Sequence, residues 1–247
     1  MASTSASSEQ PLSGLLLIDK PAGMTSHDVV DRVRRVAGTR AVGHAGTLDP
    51  FATGLLILGV GKGTKELTGL VGLDKEYEAT LMLGATSDTF DPEGTITSVV
   101  PAKAGTQLKP TVDGIEVVLD QFRGGYEQKA PLHSAKKIGG KKLYELARKG
   151  QATEEMRPTK QVTISDLTVT EYAWPTLKLR VACSSGTYIR SLADDIGRAL
   201  GVGAYLTDLR RTRIGTFEVK DSVPLKDLAV ETLKTRLFST LDKTIKN

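Results

Sequence analysis

One short segment concentrates the means for chemistry in this 247-residue chain: Gly43-His44-Ala45-Gly46-Thr47-Leu48-Asp49-Pro50-Phe51-Ala52-Thr53-Gly54-Leu55-Leu56. It sets a single acid, Asp49, among small and turn-forming residues just ahead of the largely apolar run Leu55 to Val60. Pro50 biases Asp49 toward extended geometry, and Gly43, Gly46 and Gly54 let backbone pass close to a bulky ligand. A carboxylate held on such a loop can act as a base or a nucleophile. The same residues also fit a plain turn in which Asp49 only caps the chain before Pro50. Three further residues have both a chemical and an ordinary reading. Arg190 could pair with an acid or sit on a helix surface, Tyr77 could stack on a planar ligand or fill a core, and His44 could meet a substrate or satisfy local backbone.

Several other chemistries find no support. His27, His44 and His133 lie far apart without metal-binding spacing, and the lone Cys183 allows neither an intrachain disulfide nor a cysteine-rich zinc site. That thiol follows an apolar strand and reads as packed rather than reactive. Gly59 to Thr64 imitates a phosphate loop, but Gly63 follows Gly61-Lys62 where Ser or Thr belongs, and Leu56 stands in place of the first glycine. The apolar runs are far shorter than the ~20 residues of a membrane span, so no membrane segment is expected. The first ten residues, MASTSASSEQ, lack the marks of a signal or transit peptide. Residues 1–12 are therefore expected to form a disordered tail ahead of a domain over 13–247, in a cytoplasmic protein. A formal charge of +4 is mild, but seven bases between Lys129 and Lys149 face the single acid Glu145. That run could track a phosphate backbone, or be a solvated helix and hairpin.

The elements that must position these residues can be read from periodicity. Leu15 to Ile18 predicts a strand ended by Lys20-Pro21-Ala22-Gly23, followed by a helix with Ser26 as its cap, Val29, Val30, Val33 and Val36 on one face, and Gly38 as its stop. Leu55 to Val60 predicts a buried strand. Tyr77, Ala79, Leu81 and Leu83 alternate with Glu76, Glu78, Thr80 and Met82 as in an antiparallel sheet with one wet face. Residues 84 to 110 predict an exposed excursion, and Val112 to Phe122 and Lys141 to Lys149 predict helices. Val162 to Tyr172 and Leu177 to Cys183 predict strands, Thr187 to Leu200 a helix closed by Gly201, and Tyr205 to Val219 extended chain. A last helical stretch is expected near 225 to 245. No regular βαβ rhythm, internal repeat or Pro-rich linker appears, so the fold class is α+β with a mixed, mostly antiparallel sheet.

Three separated strings, taken together, resemble the TruB family of tRNA pseudouridine synthases: KPAGMTSHDVV from Lys20, GHAGTLDPFATGLL from Gly43, and CSSGTYIRSLADDIGRALGVGAYLTDLRRTRIG from Cys183. With Lys75-Glu76-Tyr77 between them they run in the family's order. The resemblance implies isomerisation of uridine to pseudouridine in the T-loop of tRNA, at position 55, by base flipping and exchange of a glycosidic C–N for a C–C bond. It implies Asp49 as the catalytic acid, Tyr77 stacked on the uracil, Arg190 paired with the aspartate so as to keep it charged, and His44 bracing the distorted RNA loop. Leu209 would supply an apolar pocket wall, and Lys20 would meet backbone or phosphate. No cofactor and no metal are implied; the partner is tRNA through its T-arm, and a monomer is expected.

Two features depart from the family pattern. Gln128-Lys129-Ala130-Pro131-Leu132-His133-Ser134-Ala135-Lys136 has Ala130 and His133 where the family usually shows a proline and an aromatic. The chain also ends soon after its last predicted helix, which suggests that the small C-terminal RNA-binding domain common in bacterial relatives is missing. Two other classes compete: an RNA-binding module in which Asp49 is incidental, and a glycosidase, which would call for two carboxylates. Asp194 and Asp195 are available for the latter but read as solvated on a polar helix face.

Overall fold

A computed structural model describes residues 11–99, 109–134 and 136–239. Along the chain run β1 (Gly14–Lys20), α1 (Ser26–Ala37), β2 (Val42–Ala45), β3 (Thr53–Val60), α2 (Leu67–Val71), β4 (Lys75–Leu83), β5 (Ala85–Ser87) and β6 (Ile96–Ser98). There follow α3 (Val112–Leu119), β7 (Gly124–Lys129), β8 (Lys137–Ile138), β9 (Lys141–Lys142), α4 (Leu143–Ala147), β10 (Thr159–Ala173) and β11 (Thr176–Cys183). The chain closes with α5 (Ile189–Ala199), β12 (Ala204–Ile214), β13 (Phe217–Glu218), β14 (Val223–Pro224) and α6 (Val230–Arg236). Two compact units divide the described residues: 11–50, 54–71 and 218–239 in the first, 51–53 and the described part of 72–217 in the second. Most of the Ser-rich tail, the middle of the 84 to 110 excursion and the end of the last predicted helix lie outside the described residues.

In the first unit β1 runs antiparallel to β3, from Gly14 opposite Val60 to Lys20 opposite Gly54, and parallel to β14. β2 lies antiparallel on β3 with His44 opposite Leu58. Leu16, Ile18, Leu56 and Leu58 of these strands form one core with Val29, Val30 and Val33 of α1 and Leu233 of α6. The cap of α1 differs from expectation. Thr25, not Ser26, is the N-cap: its hydroxyl accepts from the Asp28 N–H at 3.1 Å while the Asp28 carboxylate accepts from the Thr25 N–H at 2.8 Å. This reciprocal pair satisfies two donors at once, and the Ser26 hydroxyl is engaged elsewhere.

The second unit is antiparallel throughout, in the order β12-β4-β11-β10-β7. The alternation read along β4 holds, with Lys75, Tyr77, Ala79, Leu81 and Leu83 all buried. α5 packs on β12 through a face that includes Ile189, Leu192 and Ile196. Cys183 is buried as expected, and burial pushes its thiol up to about 11. Lys141 to Lys149 is not one helix: β8 and β9 form a hairpin through Gly139 and Gly140, and α4 spans only five residues.

The adjacent acids of α5 correct the expectation of a solvated face. Asp194 is only 3% exposed, with Arg198 Nη2 2.8 Å from its Oδ2. Burial, then the charge of Asp194, pushes the Asp195 carboxyl up from 3.8 to about 6. An acid raised in this way destabilises the fold when ionised, so stability should fall as pH rises from about 4 to about 6 on account of this group. Asp195→Asn is therefore expected to raise stability at pH 7.5 by on the order of 1–2 kcal/mol, allowing for the partial exposure of the group, and to confer nothing below pH 4. Thermal unfolding of both proteins across that range is the check.

Candidate active site

Asp49 lies half-buried in the loop between β2 and β3, and its two chain neighbours are gripped from the turn after β1. The Ser26 hydroxyl accepts from the Leu48 N–H at 2.9 Å and donates to the Leu48 carbonyl at 3.2 Å. On the other side the Pro50 carbonyl accepts from the Gly23 N–H at 2.9 Å and from Lys20 Nζ at 3.2 Å. Lys20 is fully buried, and its ammonium also donates to the carbonyls of Pro21 at 2.9 Å and Met24 at 2.7 Å. All three of these contacts are to backbone carbonyls of the chain itself. Gly46 at φ 82° and Gly54 at φ 100° take the left-handed turns on which the loop enters and leaves. Leu48 and Ala52 are buried on either side of the acid. A carboxylate whose flanking peptides are fixed while it stays half-buried loses little freedom when it meets a substrate.

The second unit holds Tyr77, Leu209 and Arg190. Tyr77, on β4, is buried and stands between Val181 of β11 and Arg211 of β12. Leu209 lies opposite Ala79, two residues along the same face of β4 from Tyr77. An aromatic and an aliphatic residue thus lie diagonally across two strands, both buried. Arg190, in the first turn of α5, is likewise buried. Its Nη1 donates to Asp91 Oδ2 and to the Thr89 carbonyl, both at 3.0 Å, and its Nη2 donates to the His133 carbonyl at 3.1 Å.

Asp91 escaped the sequence reading, as did the burial around it. Residues 84 to 99 are not a plain exposed excursion: β5 and β6 form a hairpin, and Ser87, Phe90 and Asp91 are buried. Phe90 sits at φ 64°, with Arg157 stacked 5.2 Å from its ring centre. The signal available was an acid in a turn, Asp91-Pro92-Glu93-Gly94, which looks the same whether the acid meets water or an arginine about a hundred residues away. Ser26 was missed for a similar reason, because a helix-start serine reads as a cap.

The basic run between Lys129 and Lys149 forms the β8–β9 hairpin and α4, with Lys129, Lys136, Lys141, Arg148 and Lys149 exposed. Lys142 and Arg148 each lie 5.5 Å from the centre of the Tyr144 ring. Among the described residues no group of three or more His, Cys, Asp or Glu is placed to hold a metal ion, and no helix is long and apolar enough to cross a membrane.

Known proteins share this architecture. Two solved structures align with 87% of the chain: one of an H/ACA RNP bound to a substrate RNA containing 2'-deoxyuridine, at 30% identity and TM-score 0.62, and one of a Cbf5-Nop10-Gar1 complex, at 32% and 0.65. The chain spans 52% and 53% of those proteins, about half their length. The family model for the TruB family pseudouridylate synthase N-terminal domain matches residues 34–189, and that for the tRNA pseudouridylate synthase B C-terminal domain matches residues 190–247. The chain is 48% identical over 220 residues to the tRNA pseudouridine synthase B of Corynebacterium efficiens, covering 87% of this chain and 72% of that one. It is 46% identical over 218 residues to the protein of the same name from Mycobacterium tuberculosis, with the same coverage. The chain belongs to the TruB family of pseudouridylate synthases.

Two stability outcomes follow from this geometry. Ser26→Ala leaves the Leu48 N–H and carbonyl without the hydroxyl and should cost about 1–3 kcal/mol. Asp91→Ala takes a buried carboxylate away from the Arg190 guanidinium and should cost about 3–5 kcal/mol. Urea unfolding of each variant against the parent chain measures both.

Proposed function

We propose that this chain, through residues 13–247, isomerises uridine to pseudouridine in the T-loop of tRNA, at position 55, with Asp49 as the catalytic carboxylate. Family membership and the tRNA pseudouridine synthase B relatives support the reaction and the substrate class. The observation that most favours Asp49 is the double grip on its neighbours, by Ser26 on Leu48 and by Lys20 and Gly23 on Pro50. A turn serving only to reverse the chain would not need a buried ammonium and a buried hydroxyl to hold it.

The chemistry suits a single carboxylate. A glycosidic C–N bond breaks, the base turns, and a C–C bond forms; one proton leaves the ring carbon and one is gained by the ring nitrogen, with no net redox change. Asp49 can add to the ring, attack the sugar or take a proton from it. The uridine must first leave its stack, at a cost of about a few kcal/mol. In this reading Tyr77 stacks on the extruded uracil, Leu209 walls the pocket, His44 braces the distorted RNA loop, and Arg190 supplies positive charge to the site. The exposed bases from Lys129 to Lys149 meet phosphates of the T-arm. The protein acts as a monomer in the cytoplasm.

An unmodified tRNA transcript incubated with the chain, and separately with Asp49→Asn, tests this by carbodiimide-stop primer extension. A stop at the T-loop uridine with the parent chain and none with the variant is the expected result. Binding of tRNA without a stop in either case would point to an RNA-binding module instead.

A further inference from the structure

We propose that Gln128 is a positioning residue for this reaction: its side-chain amide clasps the backbone of Tyr188 and so sets the start of the helix that carries Arg190. The inference rests on the functional reading above and extends it to a residue that acts through the helix bearing Arg190. Gln128, on β7, is only 1% exposed, and a buried primary amide requires partners for its oxygen and its nitrogen. Its Oε1 accepts from the Tyr188 N–H at 2.8 Å, and its Nε2 donates to the Tyr188 carbonyl at 3.0 Å and to the Tyr126 hydroxyl. The amide thus reads both polar groups of one peptide residue, as a neighbouring strand would.

That residue is the N-cap of α5, and its own side chain makes no capping bond. Helix starts carry unsatisfied N–H groups, and here a distant glutamine supplies an acceptor. The Tyr188 carbonyl also receives the first helical bond, from the Leu192 N–H at 3.1 Å. The next residue of β7 adds a second tie, since Ser191 Oγ donates to the Lys129 carbonyl at 2.9 Å. Residues 128 and 129 therefore hold 188 and 191, and Arg190 lies between the two ties. Its guanidinium binds Asp91 and the His133 carbonyl. A two-point clasp fixes both the axial position and the rotation of the first turn, which a single bond would not. Displacement of a catalytic group by about 1 Å can cost about 100-fold in rate.

The test compares Gln128→Met, Gln128→Glu and Tyr126→Phe with the parent chain in single-turnover conversion of a tRNA transcript, with tRNA affinity and circular dichroism measured on each. Gln128→Met is expected to lower the single-turnover rate about 10- to 100-fold while the Kd for tRNA changes less than about twofold. Gln128→Glu keeps the shape but presents no donor to the Tyr188 carbonyl when ionised, so its rate relative to the parent should rise as pH falls and the carboxyl protonates. Tyr126→Phe leaves the clasp intact and should turn over within about twofold of the parent. If Gln128→Met fails to fold, the pH profile of Gln128→Glu decides. Rates within about twofold of the parent for both Gln128 variants, a loss confined to tRNA affinity, a Glu variant without pH recovery, or loss of fold in both would each overturn the proposal. A parent chain that makes no pseudouridine overturns the functional reading first, and this inference with it.

Discussion

The burial of one positive charge governs the geometry of the candidate site. An ammonium withdrawn from water is costly unless its protons are matched, and Lys20 is matched by three carbonyls that come from two stretches of chain, Pro21 and Met24 on one side and Pro50 on the other. Those three bonds exist together only while the two stretches stay together. Lys20 itself is placed by the ladder of β1 on β3, where it stands opposite Gly54 at the far end of the acid's loop. The strand pairing, the turn after it, and the position of Asp49 are in this way one problem with one solution.

The second unit solves a different problem by similar means. There the buried charge is Arg190, matched by Asp91 and by two carbonyls from the segments around Thr89 and His133. These segments are irregular, and irregular backbone leaves polar groups to be satisfied. A guanidinium, with several donors in a fixed plane, can satisfy groups from three directions at once. Arginine in the first turn of a helix therefore acts as a hub for loops that have no ladder of their own.

Much of this was legible in the sequence, for reasons that differ by element. The faces of β4 and α1 follow from spacing of two and of three to four residues, because solvent on one side imposes the period. The loop around Asp49 was legible from its glycines and proline, whose backbone preferences are local. The cap of α1 was misplaced by one residue because Thr25 and Ser26 are both competent, and the choice depends on the Leu48 backbone that occupies Ser26. The burial of Asp91 depends on Arg190, and that of Asp194 and Asp195 on chain packed over α5 from elsewhere. A charge looks solvated in sequence whenever what covers it is remote.

The double grip around Asp49 also bears on which partner yields during recognition. Swinging the loop open would take the Pro50 carbonyl from the Lys20 ammonium and part Leu48 from Ser26 together. A loop tied in that manner behaves as an anvil rather than a lid. In the proposed reaction, shape change on forming a complex would then fall to the RNA, which must give up a nucleotide from its own fold.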